Sequence, residues 1–539
     1  MTDTATERPA RSPSASAGSN RAAALVAFGI LCSRLSGLLR VRVFGHYFGL
    51  TAPADAFNVA FRIPNILNNL LGEGAMSGSF IPVYAQLVAR DRREQADQVA
   101  GAVAALLSLV VAVLVAIGMM FTPWFIDAIA PGFTGDTRTL TIALVRIIFP
   151  GIGLTVMSAW CLGVLNSHGK FLLSYSVQVV WNAAMIVTLL VFGPGAELPR
   201  LAVILAWGSV VGSALMVVVQ LPAVWRVAPG LRFALDTKSA DVRTVVGNFT
   251  GVFLSRGVNQ LSGYVDTLLA TLVSTGAATA LSNAQLLYML PVSLFGMSVS
   301  AAELPAMAGE AITDDRAAST ERNAGLRRRL DAGLERIAFF VVPSAAAFLA
   351  LGDVIAGALF QTGRFSHGDA VYVWGILAGS AVGLLATTLG RLYSSTYYAL
   401  RDTRTPLRYA IVRLMLTTGL GYLFAIPLPK WIGIEPMWGA AGLTASAGIA
   451  GWVEMLMLRR TMNARIGQTG LSASYLMRLW VASIAAVAVG WGIRLISPAA
   501  LAPIVLALVV FVPYLIGFAA VSWLLAIPIP ALRVRRSPR

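Results

Sequence analysis

Charge is scarce in this chain: Asp, Glu, Lys and Arg make up 12% of its 539 residues, about half of what a soluble domain carries. Acidic charge is scarcer than basic, 25 residues against 41, for a net charge of +16. Cysteine is nearly absent. Cys32 and Cys161 both fall in apolar stretches, which excludes a disulfide framework and a thiolate metal site. The three histidines, His46, His168 and His367, are far apart and compose no metal motif. No GxxxxGK[ST] run occurs, nor a polar stretch long enough for an ATPase domain, so nucleotide hydrolysis is excluded as the energy source. An ion gradient, the membrane potential or a substrate gradient is left to drive any transport, and no cofactor or metal is expected. The excess of basic residues is spread over eight segments, not gathered on one face as a nucleic-acid footprint would be. What is abundant is apolar: 57% of residues are hydrophobic and mean hydropathy is +0.74.

Those residues fall into fourteen stretches that could each cross a bilayer, which takes about 20 residues. They are 23–45, 55–88, 99–123, 138–166, 171–193, 199–225, 242–274, 277–309, 333–360, 369–399, 406–428, 434–459, 473–496 and 502–528. Starting from a cytoplasmic N-terminus, the inward segments hold twenty-six Lys and Arg residues and the outward ones only Arg138, Arg200, Arg364, Lys430 and Arg494. That split follows the positive-inside rule and predicts a multi-pass protein of the bacterial inner membrane with both termini cytoplasmic. The Ser-, Ala- and Pro-rich start lacks an apolar run, so it reads as a disordered tail and not as a signal peptide. The longest connector, 310–332, is dense in charge.

Two small-residue runs recur six spans apart, Gly74-Ala-Met-Ser-Gly-Ser-Phe-Ile-Pro82 and Gly296-Met-Ser-Val-Ser-Ala-Ala-Glu-Leu-Pro305. An even period of six gives parallel repeats, with transport sites between the two bundles near mid-membrane. The expected fold is therefore an all-α polytopic membrane protein of about fourteen transmembrane helices, two six-helix lobes around a central cavity plus two C-terminal helices. The expected domains are a disordered tail (1–22), an N-terminal lobe (23–230), a C-terminal lobe (240–460), two added helices (471–528) and a basic tail (529–539).

Ten basic residues sit inside spans, where each costs about 2.5–3.5 kcal/mol on insertion scales unless it meets a wet cavity or an anion. The first span carries Arg34, Arg40 and Arg42. Arg34 is deep and points to a cavity, while Arg40 and Arg42 are also within reach of the surface by snorkelling. The second span holds Asp55, Arg62 and Glu73, with Pro64 and the Gly72-Glu73-Gly74 run as backbone breaks of the kind that mark cavities or hinges. Two readings of Glu73 stand side by side, a structural partner for a first-span arginine or a member of the site. The seventh span adds Arg256 and Asp266, the tenth Arg391 and the eleventh Arg413; an Arg413–Asp266 pair is one expectation. An arginine-lined cavity suits phosphate, because guanidinium forks match phosphate oxygens.

The segments carrying these charges resemble the MurJ (MviN) family of lipid II flippases, within the multidrug/oligosaccharidyl-lipid/polysaccharide exporter superfamily. They are Ser33-Arg34-Leu-Ser-Gly-Leu-Leu-Arg40, Ala54-Asp55-Ala56-Phe57, Arg62-Ile-Pro64-Asn65 through Gly72-Glu73-Gly74-Ala75 to Pro82, and Phe360-Gln-Thr-Gly363-Arg364-Phe365, with Asp402-Thr-Arg-Thr405-Pro406 further on. The resemblance implies a cationic cavity with alternating inward and outward access, and a groove for the polyprenyl tail on the last two spans. It implies substrate-binding roles for Arg34 and Arg40, with Asp55 and Glu73 as acidic residues of the same lobe. The family commonly has arginine where Asn68-Asn69 and Leu286 stand, so Arg256 and Arg62 are expected to replace part of that charge. Lipid II or a related polyprenyl-diphosphate glycolipid is the implied partner, with membrane lipids and the cell-wall synthesis machinery. A related glycan carrier and a drug antiporter are the rival readings; an antiporter favours an acidic cavity, and a membrane glycosyltransferase needs a long carboxylate-bearing outward loop that this sequence lacks.

Overall fold

The computed structural model describes residues 13–235, 239–311, 319–498 and 500–528, with side chains described except at 13–27, 250–262, 310–311 and 319–322. The tails 1–12 and 529–539, the middle of the charged connector at 312–318 and the side chain of Arg256 lie outside that description. Among the described residues there is no strand ladder, only an isolated bridge between Thr362 and Phe365. Eleven described helices are long and apolar enough to cross a membrane. The chain is an all-α multi-pass membrane protein.

The first expected span is α1 (Pro13–Phe48), which starts inside the stretch read as a tail, where alanine and serine tolerate a helix well enough. The second is not one helix but three: α2 (Ala52–Arg62), α3 (Asn65–Leu71) and α4 (Glu73–Ala89). Pro64 makes the first break, since it lacks an N–H and drives the residue before it out of helical geometry. At the second break Gly72 takes φ −79° and ψ −148°, and its N–H donates to the Asn68 carbonyl at 2.8 Å. A Cβ at Gly72 would press on that carbonyl and stand 2.6 Å from the Asn68 side-chain oxygen, so only glycine fits the close approach.

Three helices and a short one follow: α5 (Arg93–Met120), α6 (Thr122–Ile129), α7 (Gly135–Ser167) and α8 (Phe171–Phe192), then α9 (Leu198–Val227) and α10 (Ala240–Val273). The eighth expected span is α11 (Ala277–Pro291), a π-helical segment (Val292–Met297) and α12 (Ser298–Ala311). Both small-residue runs thus sit at or just beyond an irregular stretch of helix, the pattern found where membrane helices line functional cavities. The charged connector shortens, because α13 (Ser319–Phe360) already begins within it. The rest are α14 (His367–Ala399), α15 (Arg404–Ala425), the short α16 (Pro427–Ile432), α17 (Gly439–Ile466), α18 (Ala473–Ile496) and α19 (Pro503–Leu524).

The chain forms two compact units, residues 1–44, 59–126 and 135–261 in one, and 45–58, 127–134 and 262–539 in the other. Lipid tails are as apolar as leucine, so each unit coheres through close packing and polar contacts between helices. In the first, Trp160 is buried and donates to the Ala100 carbonyl at 3.2 Å, and Phe80 stacks on Tyr84 at 5.1 Å. In the second, α14 and α17 meet backbone to backbone at Gly383 and Gly448. The two added helices dock on α13: Tyr514 donates to the Pro343 carbonyl at 2.7 Å, Tyr475 to the Glu335 carbonyl at 3.1 Å, and Arg494 pairs with buried Asp353 at 2.5 Å.

Candidate functional site: an arginine-bearing cavity in the first unit

A polar cavity of about 680 Å³ lies within the first unit, lined from α1, α3, α4, α7, α8 and α9. Arg34 is exposed to it. Glu73 and Gly74 enter from the start of α4, immediately after the glycine break, and Asn68 and Asn69 from α3. Ser33, Thr155, Ser158, Tyr175 and Gln178 supply hydroxyl and amide groups. The wall carries one guanidinium and one carboxylate among neutral hydroxyl and amide groups, and the guanidinium is the group whose donors match an anion's oxygens.

Arg40 lies on α1 six residues beyond Arg34, about 9 Å along the helix. It does not snorkel: its Nε donates to Asn182 Oδ1 at 3.1 Å, and its guanidinium carbon lies 5.1 Å from the centre of the Trp181 ring. Gly29 lets α1 lie close on α8, since a Cβ there would stand 2.9 Å from Tyr175 Cβ. Half-buried Arg62 ends α2, and Pro64 is buried in the turn that follows. Neither of these, nor Arg40, is among the residues lining the cavity.

Asp55 has a different place from the one expected. It is 2% exposed and accepts the Gly276 N–H at 2.6 Å, the Thr279 N–H at 2.8 Å and the Thr279 hydroxyl at 2.7 Å. These are donors of the first turn of α11, where a carboxylate serves as a cap and favours the positive helix end. Asp55 and its partners belong to the second unit, whereas Glu73 belongs to the first, so the two acidic residues do not share a lobe.

The second unit has its own small cavity of about 130 Å³, whose wall includes Asp266, Gln285, Tyr288, Thr387 and Arg413. Arg413 pairs with Glu454 of α17 at 3.1 Å, while Asp266, its expected partner, lines the same cavity. Glu454 was not singled out in the sequence because one carboxylate in a long helix carries no spacing signal. The polar residues of α8 did carry one: Tyr175, Gln178 and Asn182 recur at i, i+3 and i+7, on one helix face.

Outside the membrane spans, Asp402 stands between α14 and α15. It accepts the backbone N–H groups of Arg404 and Thr405 at 3.1 and 3.0 Å and the Thr405 hydroxyl at 2.7 Å, and pairs with Arg465 at 2.7 Å. The Thr405 backbone bond, with the Thr405 hydroxyl and Arg465, holds its carboxyl down at about 2 against burial. His168, in the turn between α7 and α8, is hydrogen-bonded through Nε2 to the hydroxyl of buried Tyr84 at 3.0 Å; burial lowers its proton affinity, with Asp97 opposing and Arg93 adding to the effect.

A family profile described as lipid II flippase MurJ matches residues 44–512. The chain belongs to the lipid II flippase MurJ family. Among its relatives, the lipid II flippase MurJ of Burkholderia cenocepacia is 30% identical over 434 residues, covering 79% of this chain and 80% of that protein. A probable lipid II flippase MurJ of Haemophilus influenzae is 29% identical over 75% of this chain and 80% of its own length. In fold, the chain is similar to a lipid II flippase MurJ in an inward closed conformation, with a TM-score of 0.73 at 22% identity, over 93% of this chain and 99% of that one. It is also similar to an inward-facing multidrug resistance MATE family transporter, with a TM-score of 0.62 at 18% identity, over 80% and 95%. Family members are transporters, and the likeness to these two structures is one of fold.

Proposed function

We propose that this chain is a lipid II flippase, moving the polyprenyl-diphosphate-linked peptidoglycan precursor from the inner to the outer leaflet of the bacterial cytoplasmic membrane. The observation that carries the reading is Arg34, open to a polar cavity inside a membrane-spanning unit of a chain in this family. A guanidinium there offers paired donors to a diphosphate. Arg40 supplies a second charge, Arg62 and Arg256 contribute to the positive field, and Glu73 trims it. The names of the relatives favour lipid II over another polyprenyl-diphosphate glycan.

Alternating access is the mechanism this reading requires, with the breaks at Pro64, Gly72 and Gly74 as the places where backbone dihedrals change. The chain is read as a transporter, in keeping with its family, and its outward loops are short. The twenty-six-to-five distribution of basic residues supports cytoplasmic termini, and the cell-wall synthesis machinery is the partner that would use the delivered precursor. The test is replacement of the resident flippase in cells, with the leaflet location of lipid II as readout. Arg34→Ala should abolish flipping at normal abundance and Arg34→Lys should rescue it in part, as a point charge lacks the fork. Normal flipping by a stable Arg34→Ala protein would overturn the reading.

A further inference from the structure

The contacts around Arg40 form a directed chain. Arginine only donates, so the Asn182 oxygen must face Arg40 Nε, as it does at 3.1 Å. The Asn182 nitrogen then faces Ser36 Oγ at 2.9 Å, and Ser36 donates onward to the Ser33 carbonyl at 3.0 Å. Ser33, Ser36 and Arg40 share one face of α1 at i, i+3 and i+7, opposite Asn182 on α8. Asn182 is 3% exposed, so Arg40 and Ser36 decide which way its amide lies. On the other side Trp181 holds the guanidinium face at 5.1 Å. That ring is itself fixed, donating to the Ser209 carbonyl at 3.1 Å and resting 5.4 Å from Phe61.

We infer that Asn182 and Trp181 are positioning residues for substrate recognition: they hold Arg40 by its Nε and its face, which leaves the two terminal nitrogens to offer a diphosphate a preformed fork. Using Nε for Asn182 removes the side-on fork and leaves the end-on one. Holding the ring plane against Trp181 removes the rotamer freedom that a long side chain otherwise loses on binding. The ligand class is a lipid diphosphate, and the inference rests on the flippase reading of the same unit. Ser36 acts one step further out, fixing which way round the Asn182 amide lies.

The test uses the full chain in nanodiscs, with undecaprenyl diphosphate as probe and undecaprenol as a probe bearing only the tail. Asn182→Leu should weaken undecaprenyl diphosphate binding about tenfold, the worth of a hydrogen bond to a charged group, and leave undecaprenol binding unchanged. Ser36→Ala, which removes one hydroxyl and spares the packing, should weaken it about threefold in the same direction. In an Arg40→Lys background, which has neither Nε nor fork, Asn182→Leu should add less than about twofold. A tenfold loss that persists in that background, or an equal loss for undecaprenol, makes Asn182 a packing residue and overturns the inference. If Arg40→Ala weakens binding but Asn182→Leu and Ser36→Ala do not, the positioning roles fall and the flippase reading stands. Undiminished undecaprenyl diphosphate binding by Arg40→Ala removes Arg40 from the site and both roles with it.

Discussion

Replacing Asp55 with alanine should cost stability and spare transport per folded molecule. The carboxylate is 2% exposed and satisfies three donors at 2.6–2.8 Å. Its removal strands the Gly276 and Thr279 N–H groups at the start of α11, at roughly 1–3 kcal/mol for each unsatisfied buried group. A relaxed side chain or an entering water recovers part of that, so about 2–4 kcal/mol is expected, at the upper end of what single substitutions do. The Thr279 hydroxyl can turn to its own helix, so it adds little. Thermal midpoints of purified protein, followed by size-exclusion of the heated sample, read the loss. The leaflet location of lipid II, normalised to membrane abundance, reads transport. Asp55→Asn keeps one acceptor and should lie between wild type and alanine. In a Thr279→Val background the Asp55→Ala cost should stay nearly the same, because the backbone N–H groups of Gly276 and Thr279 that carry it are still there. A protein with Asp55→Asn that melts like wild type and flips nothing would refute the capping role and return Asp55 to the substrate.

Gly72→Ala should slow turnover several-fold, because the added Cβ meets the Asn68 carbonyl and side-chain oxygen at the break, and should weaken diphosphate binding less, since Asn68 is one of several neutral groups on the cavity wall; equal losses of rate and binding would place Gly72 on the binding surface. Asp402→Asn should lower thermal stability by about 1 kcal/mol, the usual worth of a helix-start carboxylate. Since the Asp402 carboxyl is held down at about 2 from its ordinary 3.8, its stabilisation is complete above the ordinary value and lost only as pH falls towards 2; the gap between wild type and variant should be flat through neutral pH and close only in strong acid. Arg494→Ala leaves buried Asp353 without the guanidinium at 2.5 Å and should loosen α18 from α13 by about 2 kcal/mol, whereas leucine at both positions should be nearly neutral; equal cost for the single and double changes, measured by thermal midpoint, would contradict a desolvation penalty.

What the sequence made legible depended on whether the physics was local. Span identity follows from runs of apolar residues and loop charge, both readable without knowing any contact, and the structure keeps nearly all of those runs as helices. The break at Pro64 was legible for the same reason, being a property of one residue and its neighbour. Arg34 was legible through cost, since a deep arginine demands an aqueous or anionic surrounding wherever the chain folds. Cost alone could not separate Arg34 from Asp55, because a buried carboxylate is equally expensive at a substrate and at the end of a helix. The deciding fact is that Gly276 and Thr279, more than two hundred residues away, present their N–H groups to it. Charge sign offers Asp266 as one partner for Arg413, and the structure adds Glu454 at 3.1 Å, a contact set by how α15 lies on α17. The same limit hid Asn182. An asparagine in an apolar helix is an ordinary interhelical contact by prior expectation, and only its geometry with Arg40 and Ser36 gives it direction. Intramembrane charges therefore announce that a partner exists, while the partner's identity is decided by packing between distant helices. For this family member the residues most worth mutating are those, such as Asn182 and Asp55, whose partners settle what the charge is for.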